Sequence, residues 1–156
     1  MSDELELTKE YSDYYIIGMG GGTVDLIPVS NQLPLVEGCI SLQKGTTSLY
    51  QVINADLQRE TGNTVKYKAI EGILMGKKSL IDEDRQSIIR SSADRFTKDL
   101  IKEMIGCGLK LKDEPCIFIG GGALLLKEYL EKSQEFVACE FIEDVNANAK
   151  FYAAML

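Results

Sequence analysis

Histidine is absent from the 156-residue sequence, and with it go Ser-His-Asp and Cys-His catalysis, His-ligated zinc and any imidazole pH switch. Cysteine is sparse. Cys39, Cys107, Cys116 and Cys139 stand far apart, form no C-x-x-C and lie in apolar stretches, so they read as small core residues of a reducing compartment, with no disulfide scaffold and no metal site. Basic residues are in deficit: 17 Lys+Arg against 24 Asp+Glu leave a formal charge of −7, which disfavours direct nucleic-acid binding. No apolar run approaches the ~20 residues of a membrane span. The acidic start, MSDELELTKEYSDYY, also lacks the basic and apolar regions of a signal peptide. The expectation is a cytoplasmic protein without membrane contact.

What is present is a globular composition, 45% hydrophobic and 26% charged, in a length that suits one domain. Residues 1–12 read as a polar lead-in and 13–156 as the domain. Tyr14 to Met19 and Thr23 to Val29 are β-rich runs joined by Gly20, Gly21 and Gly22, which makes a hairpin. After the break SNQLP, the alternation of Leu35 to Gln43 predicts a third antiparallel strand. Helical spacing then places Leu49, Val52, Ile53 and Leu57 on one face, with Thr46 or Thr47 as N-cap and Gly62 as stop. A short helix is expected over Val65 to Leu74, and a long one from about Asp82 to Ile105 with Ile89, Ala93, Phe96, Leu100 and Met104 inward. The last third reads as a buried strand from Cys116, the helix ALLLKEYLEKSQ, a strand over Phe136 to Glu143, and a closing helix after Asp144. The fold class is therefore α/β, with a mixed sheet of three antiparallel strands followed by β-α-β-α.

Two triple glycines stand out, GMGGGTVD (Gly18 to Asp25) and IGGGALLL (Ile119 to Leu126). A glycine-rich strand end lets backbone N–H groups converge on phosphate oxygens, and a helix that follows adds its dipole. Thr23 offers a hydroxyl to a phosphate or to metal-bound water, and Asp25 a carboxylate for Mg²⁺ through water. Either motif alone is more often a tight turn or a close strand–helix contact. The dinucleotide-binding fingerprint needs a helix straight after its glycines, whereas a second β run follows here.

IIGMGGGTVDLIPV resembles the phosphate-binding hairpin of the actin, sugar-kinase and heat-shock-chaperone ATPase superfamily, whose pattern is Asp-x-Gly-Gly-Gly-Thr-x-Asp. CIFIGGGALLLKEYL resembles its adenosine-binding strand–glycine–helix, and FIEDVNANAKFYAAM the closing segment of the plasmid-segregation actins of the ParM/StbA group. The resemblance covers the second of that family's two domains. It implies a ribonuclease H-like fold with an inserted helical subdomain at about 46–80, and ATP (or GTP) held with Mg²⁺ in a cleft between domains. Carried over by position, Gly20, Gly21, Gly22 and Thr23 contact phosphate. Gly120, Gly121, Gly122 and Ala123 contact the adenosine, and Asp25 is the metal-side carboxylate. Both clusters are expected to open onto one pocket shaped for an adenine nucleotide. Gly18 stands where the pattern has its first Asp, so hydrolysis should be severely weakened. The implied partners are copies of the full-length protein in filaments and a DNA-bound adaptor. Two other readings stay open, a non-catalytic interaction module on the same scaffold and half of a sugar or acetate kinase.

Overall fold

The computed structural model of the chain describes residues 6–143. In order they form α1 (Glu6–Glu10), β1 (Asp13–Met19), β2 (Val24–Ser30), β3 (Leu33–Pro34), a 3-10 turn (Val36–Gly38), β4 (Ile40–Leu42), α2 (Thr46–Thr61), α3 (Tyr67–Leu74), α4 (Glu83–Gly106), β5 (Cys116–Ile119), α5 (Gly121–Lys132) and β6 (Cys139–Ile142). One mixed sheet runs in the order β3-β2-β1-β5-β6, and β4 extends the β3 side of β2. The β1–β2 hairpin is antiparallel, whereas β1–β5 and β5–β6 are parallel. The α/β mixed-sheet expectation holds.

β1 lies in the middle of the sheet, and Tyr14 to Met19 are all buried, so period-two alternation there selects a face and not exposure. Tyr15, Ile17, Met19, Val24 and Leu26 pack with the helices in the larger core. Tyr14, Ile16, Ile27, Val29, Ile117, Ile119 and Ile142 make a second apolar cluster of opposite parity. The five-residue α1 lies within the stretch expected to be a plain lead-in; its Leu7 N–H donates to Glu140 Oε1 at 2.9 Å.

The third strand is not the single run expected over 35–43. It is split into β3 and β4 around the 3-10 turn, and the cause lies in β2. The Pro28 carbonyl accepts from Leu35 N–H at 2.8 Å, so this residue turns its polar edge toward the third strand, where proline has no N–H to give. The break SNQLP is a two-residue turn with Asn31 and Gln32 in left-handed backbone, φ 51° and 67°.

α2 ends as expected at Gly62, with φ 78° and its N–H on Gln58 O. α3 starts two residues later than predicted because Val65 is occupied: its N–H and C=O bond both ends of the Asn54 side-chain amide, at 2.8 and 3.0 Å. Asp82 caps α4 by accepting from Arg85 N–H, and the predicted stripe Ile89, Ala93, Phe96, Leu100 and Met104 is buried. α2 and α4 are joined at Asp56, which is 5% exposed and accepts from Ser92 Oγ at 2.6 Å, from Arg59 at 2.7 Å and from Arg95. Burial pushes that carboxyl's pKa up, but these three donors outweigh it and hold it below the usual carboxylate value.

Tyr15 Oη accepts from Lys110 N–H at 3.0 Å, which ties the segment after α4 to β1. Burial, with help from Glu114, raises the Tyr15 hydroxyl pKa to about 12. The cysteines depart from the core reading: Cys116 is buried and Cys139 half-buried, but Cys39 and Cys107 are exposed, one in the β3–β4 connection and one at the end of α4. β6 is shorter than the predicted 136–143, and the expected closing helix lies outside the described residues. Among the described residues no helix is long and apolar enough to cross a membrane.

Candidate functional site

The topology brings the two glycine clusters together. β1 and β5 are parallel neighbours with Gly18 beside Ile119, so Gly20 and Gly120 leave the sheet side by side at its C-terminal edge. In open α/β sheets that edge is where ligands bind. The clusters also touch through packing: a Cβ on Gly122 would lie 3.1 Å from Met19 Cβ, Met19 O and Thr46 Cγ2.

The first loop is closed by Gly20 N–H donating to Thr23 O at 3.0 Å. Its next two carbonyls face the start of α2, where Gly20 O accepts from Thr46 N–H at 3.0 Å and Gly21 O from Thr47 N–H at 2.9 Å. The cap of α2 is therefore this loop, with Gly45 as the N-cap residue; neither Thr46 nor Thr47 caps the helix as the sequence predicted. Peptide planarity then fixes the other side of each unit. A trans peptide points its N–H opposite its C=O. With the carbonyls of Gly20 and Gly21 held on α2, the N–H groups of Gly21 and Gly22 point away from it. Among the described residues neither donates a backbone hydrogen bond. Both glycines are exposed, and a Cβ on Gly22 would meet nothing within 4 Å. Two adjacent N–H groups thus face outward, donors of the kind that can meet an anion.

Gly45 escaped the sequence reading. A Cβ there would lie 2.4 Å from Gly21 O and 2.7 Å from Gly20 O, so only glycine lets α2 approach the loop. The available signal was its place between a strand and an amphipathic helix, directly before two threonines.

Thr23 and Asp25 stand at the start of β2. Asp25 Oδ1 accepts from Thr23 Oγ1 at 3.2 Å and from Ser41 Oγ at 2.7 Å, Ser41 being its cross-strand partner on β4. On its other side Asp25 pairs directly with Gly18. Directly opposed residues share a face, so this carboxylate lies next to the position where Gly18 has no side chain. Among the described residues no group of three or more His, Cys, Asp or Glu could hold a metal ion alone.

In the second cluster, Gly120 has φ 102° and precedes α5, whose first turn contains Gly121 and Gly122. The helix thus begins inside the triple glycine and not at Ala123 as predicted. Gly121 is exposed with no atom within 4 Å of a Cβ position, Gly122 is packed against Met19 and Thr46, and Ala123 is fully buried.

The common pocket expected between the clusters is not open. The seam where they meet is lined by Met19, Gly20, Lys44, Gly45, Thr46, Leu49, Phe96, Gly122 and Leu126 and has no room for a water molecule. Cavities of about 750 and 570 Å³ lie instead along α3 and between α3, α4 and α5, and they share no residue with the glycine clusters. The clusters converge as an exposed surface over a packed floor.

The family described as archaeal actin homologue MreB-like, C-terminal, matches residues 16–132. Among solved structures, the archaeal actin homologue Ta0583 aligns with TM-score 0.69 at 18% identity, over 98% of this chain and 53% of that one. Bacillus thuringiensis ParM with ATP aligns with TM-score 0.63 at 15% identity, over 90% and 44%. The Alp12 filament structure aligns with TM-score 0.62 at 20% identity, over 87% and 44%. The chain therefore spans about half the length of these solved relatives. A search of curated proteins gives no match.

Proposed function

The chain belongs to the archaeal MreB-like actin homologues, in their C-terminal part, and from that premise we propose that it is the nucleotide-binding half of a two-domain, filament-forming ATPase. The observation that carries this reading is the outward N–H pair of Gly21 and Gly22, set beside exposed Gly121 at the head of α5. These groups suit the phosphates of ATP (or GTP), with Gly120 and Gly121 on the nucleoside side. Because Gly122 and Ala123 are buried, they shape the floor under a ligand that lies across the exposed glycines. Solved ParM structures with ATP, ADP and AMPPNP support a nucleotide in this fold, and the Alp12 filament structure supports assembly of copies.

Mg²⁺, when bound with the nucleotide, would supply charge neutralisation at the phosphates. Asp25 with Thr23 is the donor set that fits it. One carboxylate suits an ion held mostly by phosphates and water. Gly18 gives no second carboxylate for aligning a water, so the half-site binds better than it hydrolyses. In this reading 13–156 is one actin-like domain with 46–80 as its helical subdomain. Assembly into filaments acts in plasmid or DNA segregation in the cytoplasm, through a DNA-bound adaptor and without direct nucleic-acid contact.

The second reading, a non-catalytic interaction module, is favoured by Gly18 and by the packed seam. Calorimetric titration with Mg·ATP separates the two. Saturable binding by the wild-type chain that is lost in Gly22→Ala supports the nucleotide role, and no heat at millimolar ATP refutes it. Phosphate release at a rate ordinary for an intact ATPase would refute the claim of weakened hydrolysis.

A further inference from the structure

Among the described residues, Lys44 is the only charged one lining the seam where the two glycine clusters meet. It directly precedes Gly45, whose backbone is pressed against Gly20 and Gly21, so the root of its side chain is fixed beside the first loop. Its ammonium group is held loosely. Nζ lies 4.0 Å from Glu103 Oε2 and 5.3 Å from the centre of the Phe96 ring, and the two side chains of the ion pair are 30% and 47% exposed. A pair of that length and exposure holds the ammonium group only weakly, so redirecting it costs little. The ligand proposed for this surface carries several negative charges, whereas the chain carries −7. Apart from any Mg²⁺ bound with the nucleotide, only dipoles of N–H groups oppose that repulsion unless a cationic side chain joins them.

From this placement we infer that Lys44 is the cationic contact for the nucleotide's phosphates, resting on Phe96 and Glu103 until the ligand draws it across the glycine surface. The inference rests on the nucleotide reading given above and adds to it a charged residue outside both glycine motifs. It makes affinity depend on phosphate count and on salt, and it makes Glu103 a competitor for the ammonium group.

The test is calorimetric titration of the purified chain with ATP, ADP, AMP and adenosine at two salt concentrations, using the wild type, Lys44→Met and Glu103→Gln, with thermal melts to establish that each variant is folded. Lys44→Met should weaken ATP binding about tenfold and ADP binding less, as expected for one lost charge-assisted contact. It should leave adenosine within twofold and flatten the salt dependence. Glu103→Gln should leave ATP binding equal or tighter. Equal losses for adenosine and ATP, or unchanged ATP binding in Lys44→Met, overturns the role given to Lys44. A wild-type chain that binds no nucleotide removes both this inference and the reading beneath it.

Discussion

Gly45→Ala perturbs the contact on which the geometry of the phosphate loop depends. The backbone at Gly45 is extended, with φ −72° and ψ −176°, so alanine meets no conformational penalty there and the effect is steric. The new Cβ would start 2.4 Å from Gly21 O, against an ordinary contact of 3.4 Å, so 3.4 − 2.4 = 1.0 Å of separation must be found between two backbones. Neither obstacle is a flexible side chain. The movement stretches the bonds from Thr46 N–H to Gly20 O and from Thr47 N–H to Gly21 O, now 3.0 and 2.9 Å. Two weakened hydrogen bonds at ~1 kcal/mol each and overpacking at ~1–3 kcal/mol give a loss of roughly 3–5 kcal/mol. For a domain of this size that is a fall in Tm of about 6–20 °C. Thermal unfolding followed by circular dichroism reads it, and Gly22→Ala is the control, since its Cβ would enter open space. Gly22→Ala should melt close to the wild type while losing anion affinity. Equal melting of Gly45→Ala and the wild type, or equal destabilisation by the two variants, would refute the account of how the loop is held.

Gly18→Asp sets a second carboxylate at a buried position directly opposite Asp25, so like-charge repulsion adds to the cost of burying the charge. It should therefore lower Tm in chelator and regain part of the loss on adding Mg²⁺, whereas an Mg²⁺-independent Tm would count against Asp25 as the metal-side residue; in the full-length protein the same change should raise phosphate release. Gly122→Ala meets Met19 and Thr46 at 3.1 Å, so a shift of a few tenths of an ångström relieves it, and its loss of stability, read by the same melts, should fall between those of Gly22→Ala and Gly45→Ala. The Asp56 carboxyl has its pKa lowered by folding, so its stabilisation is full above the unfolded carboxylate value and is lost as pH falls through the lowered folded value. Acid unfolding of Asp56→Asn should accordingly be shallower below about pH 4 than that of the wild type, and identical slopes would refute a net stabilising role for the Ser92, Arg59 and Arg95 donors.

Most of the elements were legible because they depend on local chemistry. Glycine at 62 stops α2, Asp82 starts α4, and the 3.6-residue stripe from Ile89 to Met104 selects the buried face of that helix. The misreadings share a cause in nonlocal partners. The third strand alternates well, yet it is broken by a proline on the strand beside it. The hydroxyls of Thr46 and Thr47 suit an N-cap, yet the cap is supplied by carbonyls more than twenty residues earlier. Ala123 matches a ligand motif by position and is buried because α5 begins two residues sooner than the apolar run shows. The exposed cysteines follow the same rule, since an apolar neighbourhood in sequence does not say which residues reach the core.

The sequence alone determined the chemistry available: no imidazole, a net negative charge, two glycine clusters, one threonine and one aspartate at the first of them, and no carboxylate at position 18. Only the tertiary structure decided how that chemistry is arranged. Parallel pairing of β1 with β5 set clusters a hundred residues apart at one edge, and the approach of α2 on Gly45 turned the carbonyls of the first loop inward and its N–H groups outward. Hydrogen-bond direction is a property of packed peptide planes, and no pattern of residue types along the chain encodes it by itself.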